Sequence, residues 1–455
     1  MLARCGMGLG TLGLASLLAD PHTAAAQTPY VNPLAPHAPH RPPRARRVVH
    51  FFLNGGPSHV DSFDPKPTLA RYAGKPLPFA NLPTERKTGG ALPSPFNFAR
   101  HGESGLEISD MFPRLATCAD DLCVIRSMRA NVPNHEPSLM LMNCGDAQMT
   151  RPSMGSWVIY GLGTENQNLP GFISMCPGGY PVKEAENWGN GFLPGAFQGT
   201  YVDTQHTDVA RLIENIRSND VSFERQRREM ELLRAINREH QGARADDPRL
   251  EARIQSFELA FRMQSEASDA FDISNEPQDI KDMYGPGVHG RQTLIARRLL
   301  ERGVRYVQLW HGAGQPWDAH SDLQGNHAKL AAEVDRPAAA LIMDLKQRGM
   351  LDDTLVIFGG EFGRTPVSEG GSGRDHNPYG FSMVLAGGGV KGGFAYGATD
   401  DFGFRAEQDV VHVHDLHATI LHLLGLDHER FTYRYAGRDF RLTDVSGNVV
   451  RDILS

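Results

Sequence analysis

Short apolar runs that stop abruptly at glycine dominate the pattern along this chain. Val48-Val49-His50-Phe51-Phe52-Leu53 runs straight into Asn54-Gly55-Gly56-Pro57. A run this short and this apolar, bounded by glycine, reads as a strand buried on both faces. The pattern recurs at Leu122–Arg126, at Gly303–Leu309 before Trp310-His311, at Thr354–Phe358 before Gly359-Gly360-Glu361, and at Phe381–Ala386 before Gly387-Gly388-Gly389. Helical stretches lie between and after them: a run from Ser138, Pro152 to Gly163, an amphipathic helix Ala328–Arg348 closed by Gly349, and His414–Leu424 ended by Gly425. Strands alternating with helices predict an α/β fold with a mostly parallel sheet. Gly171 to Gly199 reads as irregular, and Thr207 to Ser268, dense in Arg and Glu, as the heart of a helical insertion over about 205–300.

Composition narrows this. The 455 residues carry 46 Lys+Arg against 53 Asp+Glu, a net charge of −7. That length allows about three domains, and the alternation favours one domain over 48–455. Forty per cent hydrophobic and 22% charged residues exclude wholesale disorder. No basic face dominates, so nucleic acid is not an expected partner. Arg4, the apolar run Met7–Ala19 and Ala24-Ala25-Ala26 form a signal-peptide pattern over 1–26, and 27–47 reads as a Pro/His-rich linker. The expectation is an exported protein, periplasmic or extracellular, without a transmembrane anchor. Cys118, Cys123, Cys144 and Cys176 allow either two disulfides or four buried thiols.

The 19 histidines carry the functional question. Five polar clusters sit at or near strand ends: Asn54 to Asp61 with His59, Asn134 to Ser138 with His135, Trp317-Asp318-Ala319-His320, Gly360-Glu361-Phe362-Gly363-Arg364, and Gly373 to Pro378 with His376. A parallel sheet gathers its strand C-termini on one edge, so clusters distant in sequence can meet there. Histidine with carboxylate is a ligand set for zinc- or manganese-like cations. Glu361 suits a metal, and the Arg364 guanidinium suits an anionic oxygen.

Gly55-Gly56-Pro57-Ser58-His59, Asp64-Pro65-Lys66-Pro67, Trp317 to His320, Gly360 to Pro366 and Gly373 to Pro378 together resemble the DUF1501 family, placed in the alkaline phosphatase/sulfatase superfamily. The resemblance runs from about Val48 to the C-terminus. It implies an alkaline phosphatase-like α/β/α sandwich binding one or two divalent metal ions (zinc, manganese or calcium). Asp318, His320 and His376 resemble the ligands of one metal. Glu361, Asn54 and His59 would serve the other, since Phe362 replaces a ligand position. His135 stands where the superfamily carries its nucleophile, which excludes a formylglycine mechanism at that site and makes His135 a catalytic candidate, as imidazole nucleophile, general acid/base or metal ligand. The implied activity is hydrolysis of phosphate or sulfate esters, on a substrate such as a sulfated or phosphorylated glycan, with Arg364 binding the anionic group. The alternative is a non-catalytic binding protein on the same fold.

Overall fold

The structure is a computed structural model that describes residues 32–212 and 269–455, with isolated positions between 224 and 236. A nine-stranded sheet forms its centre. Its order is Phe394–Tyr396, Leu122–Arg129, Phe381–Ala386, Thr354–Gly359, Arg47–Phe52, Tyr306–Trp310, Phe172–Met175 and Thr200–Val202, and Val411–His412 also pairs with Leu122–Arg129. Only Phe381–Ala386 runs against the others, antiparallel to both of its neighbours. The sheet is therefore mostly parallel, as the alternation predicts.

Alternate side chains leave each strand on opposite faces. Val49 and Phe51 enter one core with helices Gly287–Glu301 and Leu323–Gln347. Val48 and Phe52 enter the other with helices His135–Cys144, Met154–Leu162 and Val413–Leu423. This is an α/β/α sandwich. Burying each large apolar side chain contributes roughly 1.5–3 kcal/mol. Aromatic contacts tie neighbouring strands, with the Phe52 and Trp310 rings 4.4 Å apart.

Register positions the site. Phe52 lies opposite both Trp310 and Gly359, so three strands end at one level. Residues 53–56, 311–320 and 360–364 all leave from that edge.

Several segments differ from the sequence reading. Phe172–Met175 is a core strand inside the stretch read as irregular. Helix Gly287–Glu301, counted within the insertion, packs under the sheet as a layer of the sandwich. Most of 207–268 lies outside the described residues, as does the signal pattern over 1–26. The described part of the linker, 32–46, is docked on the domain: His37 N donates to Leu162 O, and Arg44 N and Ala45 N donate to Leu423 O. The four cysteines are buried free thiols. Among the described residues no helix is long and apolar enough to cross a membrane.

Candidate metal centre

Three loops and a helix N-terminus build the site. His135 opens helix His135–Cys144, and Pro137 fits in its first turn, where no backbone N–H bond is lost. Asp318 and His320 ride on the loop after Tyr306–Trp310. Glu361 follows Thr354–Gly359. The chain then forms an antiparallel ribbon, Gly363–Glu369 with Gly373–Asn377, that brings Arg364 opposite His376.

Asp318 Oδ1 is the hub. It lies 2.7 Å from Arg364 Nη2, 2.9 Å from His320 Nε2, 3.1 Å from His376 Nε2 and 3.4 Å from His135 Nε2. Each ring has its other nitrogen beside an acceptor. His135 Nδ1 is 2.6 Å from Glu361 Oε1, His376 Nδ1 is 2.6 Å from Pro133 O, and His320 Nδ1 meets Glu369 Oε2. With the protons on Nδ1, an assignment made from these partners, three Nε2 lone pairs face one carboxylate oxygen. Lone pairs and a carboxylate repel unless a cation lies among them. His135 Nε2 and His320 Nε2 are buried without any hydrogen-bond partner. Donating the far N–H to a carboxylate or carbonyl is the arrangement of metal-ligating histidines. His135, Asp318 and His376 form one ligand group with ligand atoms within 4.8 Å of one another, and His320, Asp375 and His376 form another sharing His376. These residues fit a divalent cation.

Without a cation in place, the electrostatics divide the three rings. Burial opposes ionisation of Asp318, but its contacts with His135, His320 and His376 and the Arg364 charge outweigh burial and hold the carboxyl far below its usual range. Burial likewise opposes charge on His135 and His320, yet Asp318 and the second carboxylate on each ring lift both. For His376 burial wins, helped by Arg364 and His135, and its pKa falls. Around the histidines stand Asp318, Glu361, Glu369, Asp375 and Glu85, the last 2.8 Å from His376 Nδ1, against the buried guanidinium of Arg364 and the exposed one of Arg86, which pairs with Glu369 (3.2 Å).

Four expectations require correction. Asn54 is no ligand: its amide donates to Gly312 O (2.9 Å) and Gly314 O (2.7 Å) and accepts from His311 N (3.2 Å), zipping up the loop that carries Asp318. His59 stays outside the cluster, with Nε2 2.8 Å from Gly403 O. Arg364 is not open to an anionic substrate: it is fully buried, donates to the carbonyls of Gly55, Gly56 and Arg374, and pairs with Asp318. Glu361 contacts His135 and the Gly55 N–H (3.0 Å) rather than joining either ligand group. Asp375, Glu369 and Glu85 were missed. Asp375 adjoins His376 in the Gly373–Pro378 motif, and that adjacency was the available signal. Glu85 lies in a polar loop without any.

The Gly55-Gly56 turn is sterically obligatory. Gly55 has φ +113°, and a Cβ there would lie 2.6 Å from Asp318 N. At Gly56, φ +78°, it would lie 2.7 Å from the Phe362 ring. Phe362 is buried, its ring centroid 4.8 Å from that of His135 and 4.7 Å from that of His376. One further buried pair braces the ribbon: Arg374 grips Asp61 through Nε (2.8 Å) and Nη2 (3.0 Å), and Ser58 Oγ also donates to Asp61.

Fold and site together define an α/β/α protein with a histidine–carboxylate cluster, a candidate metal centre, on the C-terminal edge of its sheet. The chain belongs to the family described as "Protein of unknown function (DUF1501)", which it matches over residues 45–454. No curated protein matches it in sequence. Among solved structures it is similar to a sulfatase from a Pseudoalteromonas species, at 11% identity and TM-score 0.34 over 85% of this chain and 69% of that one. It is also similar to a phosphonate monoester hydrolase from Silicibacter pomeroyi, at 13% identity and TM-score 0.36 over 75% and 71%. A third is the lipoteichoic acid synthase LtaP from Listeria monocytogenes, at 10% identity and TM-score 0.36 over 84% and 72%.

Proposed function

We propose that the chain is a metal-dependent hydrolase of anionic esters, phosphate or sulfate, acting outside the cytoplasm on a substrate such as a sulfated or phosphorylated glycan. The observation that carries the proposal is the convergence of three Nε2 atoms on Asp318 Oδ1, each ring held from behind by an acceptor. Asp318, His135, His320 and His376 would hold the cation, and Asp375 with His320 and His376 would offer ligands for a second. A zinc- or manganese-class ion, when bound, neutralises charge on the ester oxygens and lowers the pKa of water. Glu361 keeps the His135 proton on Nδ1 and so directs Nε2 inward. Glu369 does the same for His320. Arg364 holds the Gly55-Gly56 turn against the Asp318 loop and offsets part of the carboxylate charge. His135 therefore serves as a ligand, not as a free nucleophile.

Buried Arg364 and the Phe362 ring wedged between two histidines favour a second reading, a binding protein that holds an ion and a polyanion without turnover. Metal analysis combined with aryl phosphate and aryl sulfate assays separates the two. Bound metal with turnover that Asp318→Asn abolishes supports the hydrolase. Bound metal without turnover on a broad ester panel leaves the binding protein. Metal-free protein with no turnover overturns both.

A further inference from the structure

A second histidine–carboxylate group lies behind the first, and nothing in the proposed reaction uses it. His289 sits in the first turn of helix Gly287–Glu301, His311 directly follows strand Tyr306–Trp310, and Glu333 projects from helix Leu323–Gln347. His311 Nε2 is 3.1 Å and His289 Nε2 is 3.8 Å from the same oxygen, Glu333 Oε2. The imidazole centroids are 4.4 Å apart. Ligand atoms of all three lie within 4.8 Å of one another. Tetrahedral zinc with bonds of about 2.0–2.1 Å separates neighbouring ligand atoms by about 3.3 Å. The observed spacings bracket that value.

The surroundings supply independent support. His311 is 5% exposed, and its Nδ1 has no partner. Gln292 is buried too: its amide nitrogen donates to Met175 O (3.0 Å) and Trp310 O (3.2 Å), which fixes the orientation and leaves Oε1 without a well-formed hydrogen bond, on the side of the His289 ring with which Gln292 interacts. Both orphan atoms belong to residues lining one cavity of about 10 Å³, which His289 also lines. That is room for about one water.

We propose that His289, His311 and Glu333 form a second, structural site for a zinc-class divalent cation, separate from the Asp318 centre. Two imidazoles and a carboxylate suit a borderline cation, with solvent completing the shell beside partly exposed Glu333. The Trp317 ring separates the two centres, edge-on to His311 at 5.5 Å, and Asp318 is the next residue. The site joins the helix and strand on either side of the loop that presents Asp318 and His320, so it braces that loop.

The test uses the full chain stripped of metal and re-equilibrated with zinc or cobalt(II) alone. In a background lacking the first centre (Asp318→Asn with His376→Ala), about one zinc per chain remains bound and raises the melting temperature. Adding His289→Ala or Glu333→Gln weakens that binding by at least 10–100-fold. The cobalt-loaded background absorbs in the visible, and this band disappears with the same substitutions. In the otherwise wild-type chain, Glu333→Gln lowers the zinc count by one, a measurement that does not depend on the background variant folding. A zinc count unchanged by Glu333→Gln, or an equivalent that persists after His289→Ala, overturns the proposal.

Discussion

The Asp61–Arg374 pair offers the sharpest test of how the ribbon is held. Both side chains are fully buried and bound through two parallel hydrogen bonds. Asp61→Asn leaves the Arg374 charge buried without a counterion, and Arg374→Met does the reverse. Breaking a buried pair from one side costs about 3–5 kcal/mol, whereas removing both charges is often near neutral. Unfolding entropy of about 2.1 cal/mol/K per residue makes each kcal/mol worth about 1 °C in a chain of this size. Each single variant should melt about 3–5 °C below wild type, and the double variant should recover at least half of that loss. Urea unfolding and calorimetry on the four proteins complete the cycle. The pH dependence has a definite sign. Burial opposes ionisation of Asp61, but the Arg374 charge and its hydrogen bonds prevail and lower the pKa. Its stabilisation is present above about pH 3.9 and is lost as pH falls through the lower folded value. Asp61→Asn should remove that acid limb. Asp375 and His376 follow Arg374 directly, so the single variants should also weaken metal binding by about 10–100-fold. Single variants melting within a degree of wild type, or a double variant that loses the sum of both, would refute the reasoning.

Three further outcomes follow from the site and its supports. Gly55→Ala must displace the backbone at Trp317-Asp318 and abandon φ +113°, so it should abolish metal binding, read by elemental analysis, and lower the melting temperature. Phe362→Ala removes a buried ring packed against His135 and His376 and should cost about 3–5 kcal/mol in urea unfolding. Asp335 accepts from Arg114 N and Leu115 N at 2.7 Å each, and burial pushes its pKa up to about 6. The fold therefore favours the neutral acid, and ionisation costs stability as pH rises from about 4, reaching about 3 kcal/mol above pH 6. The stability difference between Asp335→Asn and wild type should shift toward the variant by that amount between pH 4 and pH 8, and a pH-independent difference would contradict it.

The strands legible in the sequence were those whose apolar runs end at glycine, because burial on both faces leaves an unbroken pattern. Phe172–Met175 was hidden by the glycine and proline around it, and four residues show little periodicity. The reversed direction of Phe381–Ala386 leaves no trace in composition, because direction depends on connections. At the site, Asp318, His320, His376 and His135 stood out as chemically apt residues near strand ends. Asn54, His59 and Arg364 are equally apt, but Asn54 and Arg364 have their polar atoms taken by backbone groups and the Asp318 carboxylate, and His59 is held outside the cluster by Gly403 O. Residue type records what a group can bind, and only packing decides whether that capacity is already spent.

Strand order also shapes how the chain is made. Arg47–Phe52 pairs on one side with Tyr306–Trp310 and on the other with Thr354–Gly359. During synthesis at about 5–20 residues per second, this apolar strand waits roughly 13–50 s for its first partner. Through that interval it has two bare edges, and local segments cannot pair with it. Folding of the centre therefore begins late in synthesis and is dominated by closure of a loop of more than 250 residues. Truncation anywhere before Gly359 should leave a chain that chaperones must hold, not a smaller stable domain.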